Sequence, residues 1–135
     1  MRAAWLAVLV ASATVVGSLG LGSPASAASS RCDATQTGYD EVYCVNKVYH
    51  QADEDLNKTY QQLRARLNVD GRDTLKTRQL AWIADRDQTC SRTGAAGTTL
   101  ELSCATGKTI KRTRFLQDRY RECISSGCLN SRLDP

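Results

Sequence analysis

All six cysteines of this 135-residue chain fall between positions 32 and 128, downstream of a segment built like a secretory leader. That segment, residues 1–27, has a basic start at Arg2, an apolar run from Ala3 to Val16, and an Ala25-Ser26-Ala27 cleavage site. Ser12, Thr14, Gly17 and Gly20 interrupt the run, which is shorter than the roughly 20 apolar residues that a membrane span needs. Arg31 before Cys32 does not resemble a lipobox. The expected mature chain is therefore residues 28–135, secreted or extracytoplasmic, with no stable membrane insertion. An even cysteine count in a small exported domain reads as up to three disulfides that supplement a modest core. With no Cys-x-x-Cys pair and a single, isolated histidine, His50, neither a metal site nor a cofactor is expected.

Hydrophobic spacing organises the rest into three helices, so the expected fold is all-α, a small three-helix domain with a long first helix. From Thr37, Val42, Val45, Tyr49, Ala52, Leu56, Tyr60, Leu63 and Leu67 recur every three or four residues, the period of one amphipathic helix. Thr37 with Asp40 three residues on is its start signal. Asn68 to Gly71 reads as a break, and a second helix is expected from Asp73 through Leu75, Gln79, Trp82, Ile83 and Arg86 to Cys90. The glycine-containing stretch Ser91 to Thr99 reads as a loop. A third helix is expected to begin between Ser103 and Thr109, carry Ile110, Phe115, Leu116 and Tyr120, and stop before Ser125-Ser126-Gly127. In this layout Cys90–Cys104 is the first choice among the 15 connectivities open to six cysteines, because it pins the loop between two helix ends. Cys32–Cys44 and Cys123–Cys128 are the accompanying pairs.

Polar residues on the apolar stripes are the informative ones. Asp53 sits between Tyr49 and Leu56, Gln79 and Arg86 share the stripe of Leu75 and Trp82, and Arg112 lies between Thr109 and Leu116. Burying any of these alone costs several kcal/mol, so Asp53 is expected to pair across the bundle with Arg86 or Arg112, with Asn57 and Gln79 completing the network.

These residues carry a resemblance. The segments Ala52-Asp53-x-x-Leu56-Asn57-x-x-Tyr60, Gln79-x-x-Trp82-x-x-x-Arg86-Asp87 ending in Cys90, and Cys104 followed by Thr109, Arg112 and Leu116 are similar to the LprI-type lysozyme inhibitor domain. The similarity runs over about residues 32–116 and leaves 117–135 as a C-terminal extension. It implies a small exported helical domain whose partner is a lysozyme or related muramidase and which acts by blocking the glycan cleft without covalent chemistry.

Charge bears on that implication. After loss of Arg2 the chain carries 17 basic and 14 acidic side chains, a net +3 that does not help steering towards a basic lysozyme. The distribution is uneven, however, with six carboxylates against Lys47 between Asp33 and Asp55. The candidate partner-binding residues are accordingly Asp40, Glu41, Glu54 and Asp55 on the first helix, with Arg92 and Thr93 in the disulfide-closed loop as an insertion element. The alternative is a non-enzymatic envelope module that binds an anionic polymer or another exported protein through Lys108, Lys111, Arg112, Arg114, Arg119 and Arg121. Nucleic acid is not expected as a partner, since only Phe115 and Tyr120 interleave these cations. Catalysis is not expected either. The carboxylates of Asp53, Glu54 and Asp55 diverge on a helix, Asp85 and Asp87 do not face each other, and His50 has no nucleophile beside it.

Overall fold

The computed structural model describes residue 32 and residues 37–134. The leader read at residues 1–27 lies outside the described residues. Three helices follow one another as α1 (Gly38–Arg66), α2 (Val69–Cys90) and α3 (Leu102–Ser126), with a short antiparallel hairpin, β1 (Ser91–Gly94) and β2 (Gly97–Leu100), between the last two.

Each boundary has a local cause. Thr37 caps α1 by accepting from the Asp40 amide at 3.2 Å, and its hydroxyl meets the Asp40 carboxylate. Asn68 caps α2 through the Gly71 amide at 2.8 Å, so the helix starts at Val69, not at Asp73 as the sequence reading has it. Gly71 belongs to the first turn instead of a break. A Cβ there would lie 2.5 Å from the Asn130 side-chain oxygen and 3.0 Å from the Asn68 cap oxygen, so a larger residue would have to displace the tail's Asn130 side chain. Likewise α3 starts at Leu102, ahead of the expected range, because Glu101 accepts from the amides of Ser103 and Cys104 at 3.0 and 2.9 Å. That cap outweighs the helix cost of the exposed Gly107.

The expected loop at Ser91 to Thr99 is a hairpin. Ser91 pairs with Leu100, Arg92 with Thr99, Thr93 with Thr98 and Gly94 with Gly97. Its two-residue turn, Ala95-Ala96, needs Gly97 at φ +107°, a conformation costly for other residues. Threonines at 93, 98 and 99 favour the extended backbone, and the Thr93 and Thr98 hydroxyls meet at 3.1 Å across the strands.

α1 packs most extensively on α3, while α2 meets α1 sparsely. Arg86 of α2 reaches Asp53 and Tyr49 of α1, and Arg66 at the end of α1 lies over Tyr120 near the end of α3. Hence α1 and α3 run in the same direction, packed directly on each other, and α2 runs antiparallel to both. The core is Leu56, Leu63, Leu67, Leu75, Leu116 and Leu133, with Tyr60, Trp82, Phe115 and Tyr120 packed around it. The first three turns of α1 are not part of it. Its buried residues begin at Ala52, and Val42, expected on the apolar stripe, is 65% exposed. The N-terminal half of α1 therefore extends past the core.

Disulfides join Cys32 to Cys44, Cys90 to Cys104 and Cys123 to Cys128, the three pairings expected from the helix layout. The first ties Cys32 to the extended half of α1, the second closes the hairpin base, and the third turns the chain back after α3. Beyond it the tail crosses the open end of the bundle. Asn130 donates to Asn68 at 3.1 Å, Arg132 pairs with Glu122 at 2.9 Å, Asp134 pairs with Arg78 at 3.1 Å, and Leu133 is fully buried. The extension is thus the floor of the core. Among the described residues, no helix is long and apolar enough to cross a membrane.

Candidate functional site

Two buried arginines form the polar interior. Arg86, 7% exposed, lies 3.6 Å from Asp53, 2.8 Å from Asp87 and 3.4 Å from the Thr109 hydroxyl. Asn57 donates to Asp53 at 3.2 Å, one helical turn on. Arg112, 2% exposed, donates from Nε to the Gln79 side-chain oxygen at 3.0 Å. The structure therefore brings all five network residues together in two linked groups, with Asp53 on Arg86 and Gln79 on Arg112.

The two guanidiniums belong to a ladder in which cations and rings alternate. It runs from Tyr49 to Arg86, Trp82, Arg112, Phe115 and Arg119, with guanidinium-to-centroid separations of 5.9, 5.3, 5.9, 5.0 and 5.4 Å. Each cation thus gains from the negative face of a neighbouring ring, which partly replaces lost hydration. Arg112 needs this most. Its two terminal nitrogens are buried without a hydrogen-bond acceptor, and burial pulls its pKa below the ordinary arginine value, an effect that Asp134 opposes.

This arrangement makes Arg86 costly to lose. We expect Arg86→Ala to destabilise the protein by about 2–3 kcal/mol, through loss of the charge-assisted bonds and of the stacking on Trp82 and Tyr49. Asp53→Asn should cost about 1 kcal/mol or less, because Asp53 is half exposed and Asp87 still neutralises Arg86. Urea midpoints of the two variants check the inequality, and equal losses would contradict it.

The surface residues divide differently. Asp40, Glu41, Glu54 and Asp55 are all exposed on α1. Fourteen residues is close to four helical turns, so Asp40 stacks with Glu54 and Glu41 with Asp55, as two parallel rows about 21 Å long. Arg92 and Thr93 are exposed on β1, with Arg92 one residue above the hairpin base and Thr93 nearer the turn. Since Arg86 is level with Tyr49, the hairpin springs from the end of the bundle past which α1 extends. Both groups of candidate residues therefore belong to that end or flank it.

The basic stripe on α3 does not survive folding as a single face. Arg112 is buried, Lys108 pairs with Asp85 at 2.7 Å, Arg119 with Glu122 at 2.8 Å, and Arg121 with Asp118. Lys111 and Arg114 are left as its exposed cations without an ion pair among the described residues. Sequence reasoning also passed over Tyr39 and Tyr43, which stand 81% and 63% exposed beside Val42. Their i, i+4 spacing, off the core stripe, was the available signal.

Among the described residues, no group of three or more His, Cys, Asp or Glu side chains could hold a metal ion. The fold and its interior define a class: a small helical domain, stapled by disulfides, whose buried charges neutralise and stack on one another inside the bundle. More particularly, the chain belongs to the family described as lysozyme inhibitor LprI, whose family model matches residues 29–116. No curated protein and no solved structure matches it. The family and the three disulfides agree with an extracytoplasmic location.

Proposed function

We propose that this protein is an exported, non-enzymatic inhibitor of lysozyme-like muramidases that blocks the glycan cleft without a covalent step. Membership of the LprI family over residues 29–116 is the observation that carries this reading. The surface chemistry supports it. From Gly38 to Asp55 the chain has five carboxylates against the single cation Lys47, the sign that favours encounter with a basic enzyme despite the chain's positive net charge. At the same end stands a hairpin whose base is closed by Cys90–Cys104, so its ordering cost is largely met before binding. Arg92 and Thr93 on that hairpin are the proposed insertion residues, with the Arg92 guanidinium suited to the paired carboxylates of a muramidase cleft. The pairing of Lys108, Arg119 and Arg121 within the bundle weighs against binding of an anionic polymer through α3.

The test is lysis of bacterial cell walls by animal-type lysozyme, titrated with the oxidised protein. We expect stoichiometric inhibition that weakens modestly between low and physiological salt. Arg92→Ala with Thr93→Ala should weaken it about tenfold or more, and full inhibition by that variant would exclude the hairpin as the insertion element. A lack of inhibition by the wild-type protein at micromolar excess would remove the inhibitor reading itself.

A further inference from the structure

An aromatic stripe stands exposed on the N-terminal half of α1, on a side that no other described element covers. Tyr39, Val42, Tyr43, Asn46 and His50 each lie three or four residues from another of the set, so they share one side of the helix. Tyr39, Val42 and Tyr43 are among the most exposed large hydrophobics of the described chain, and with Asn46, Lys47 and His50 they line a shallow recess. Scattered exposed apolar residues are ordinary, but three on one stripe of one helix are a patch. Among the described residues, nothing packs on them. The buried residues of α1 begin at Ala52, and the helix runs eleven residues, about 16 Å, beyond the level of Tyr49.

The chemistry around the stripe selects the partner. Asp40 and Glu54 border it on one side, roughly 60° around the helix at most, with Lys47 between them on the same row, while Glu41 and Asp55 lie farther round the helix. Lys47 is the one opposing charge from Gly38 to Asp55. Tyrosine is the side chain best suited to anchor such a contact, because it buries a large rigid ring at small entropic cost and keeps a hydroxyl for the wet rim. An apolar stripe on a helix segment of net negative charge is complementary to a protein with a cationic rim, and not to a polyanion or to an acidic protein.

We propose that the Tyr39–Val42–Tyr43 stripe is the docking surface for the cationic muramidase, with the two carboxylate rows steering the encounter. This rests on the inhibitor reading and adds to it where the enzyme is held. The tyrosines set the lifetime of the complex and the carboxylates set its rate of formation.

The experiment measures binding kinetics and lysis inhibition side by side, with animal-type lysozyme as the probe and the full oxidised protein as exported. Tyr39→Ala with Tyr43→Ala should speed dissociation and weaken inhibition at least about tenfold, with far-UV circular dichroism and the thermal midpoint unchanged. Val42→Lys, which favours the helix and puts a cation in place of an apolar contact, should do the same. Asp40→Asn with Glu41→Gln should instead slow association and flatten its salt dependence. Leu129→Ala, exposed elsewhere, is the control and should behave as wild type. If the wild type inhibits lysozyme and both stripe variants inhibit equally well, the docking assignment falls and the inhibitor reading stands. If the wild type neither binds nor inhibits, the inhibitor reading falls and takes the assignment with it. A dimer of this chain that the stripe variants abolish, with lysozyme inhibition intact, likewise overturns the assignment.

Discussion

Reduction of all three disulfides is expected to unfold this protein at 37 °C. In the chain-entropy treatment, cross-links closing sequence separations of 12, 14 and 5 residues remove about 3, 3 and 2 kcal/mol of unfolded-state freedom, about 8 kcal/mol together. A domain of roughly 100 residues has a total stability of about 5–15 kcal/mol, so the loss is comparable to the whole. The three bonds do not contribute in the same place. Cys32–Cys44 lies on the extended half of α1, away from the leucine core, and its removal should leave the thermal transition of the bundle cooperative. Cys90–Cys104 ties α2 to α3 at the hairpin base, beside the arginine ladder, and Cys123 and Cys128 pack against the core itself. We therefore expect Cys90→Ser with Cys104→Ser to lower the thermal midpoint far more than Cys32→Ser with Cys44→Ser. The measurement is circular dichroism on heating, in oxidised, reduced and pairwise-substituted protein. A reduced chain that retains its cooperative transition above 37 °C would show that the helices suffice alone.

How much of this architecture can be read from the residues depends on whether a local signal exists. The apolar period of α1 from Ala52 to Leu67 repeats without interruption, so the helix and its core face are legible. The same stripe gives no sign that Val42 is exposed, because exposure there depends on where α2 and α3 stop. Asp53, Gln79, Arg86 and Arg112 stand out as charges or amides on apolar stripes, and that alone places them at the helix contacts. Which arginine takes Asp53 is a matter of crossing geometry, and no spacing rule determines it. The hairpin is hidden by its composition, since Gly94, Ala95, Ala96 and Gly97 lack the Asn-Gly or Asp-Gly turn signal and the flanking strands are polar and exposed. The start of α2 is misjudged for a related reason. Gly71 reads as a breaker, yet its cause is the Asn130 side chain almost 60 residues further on, a contact that the local sequence does not announce.

The C-terminal tail is the clearest case of a tertiary feature with no local signature, and it yields the other large effect. Leu133→Ala is expected to cost about 3–4 kcal/mol, within the usual range for a fully buried leucine, because the site is fixed on several sides and cannot readily collapse. Leu133 is 1% exposed among Leu56, Leu63, Leu67, Leu75 and Leu116, while Arg78–Asp134, Arg132–Glu122 and Asn68–Asn130 hold the backbone on either side of it. Leu129, four residues earlier and 59% exposed, should tolerate alanine with a change below about 0.5 kcal/mol. Removal of residues 127–135 should be worse than either substitution. It uncovers the core leucines, deprives Asn68 of Asn130, and leaves Cys123 without its partner, so a lower urea midpoint together with a reduced m-value is expected. Family similarity ends at residue 116, and by that measure the tail is dispensable; the packing says the opposite. Equal stability of the Leu133→Ala and Leu129→Ala proteins would mean that the core closes without the tail. A selective loss in Leu133→Ala, with lysozyme inhibition retained at low temperature, would show that the extension holds the bundle together while the partner is engaged at the opposite end.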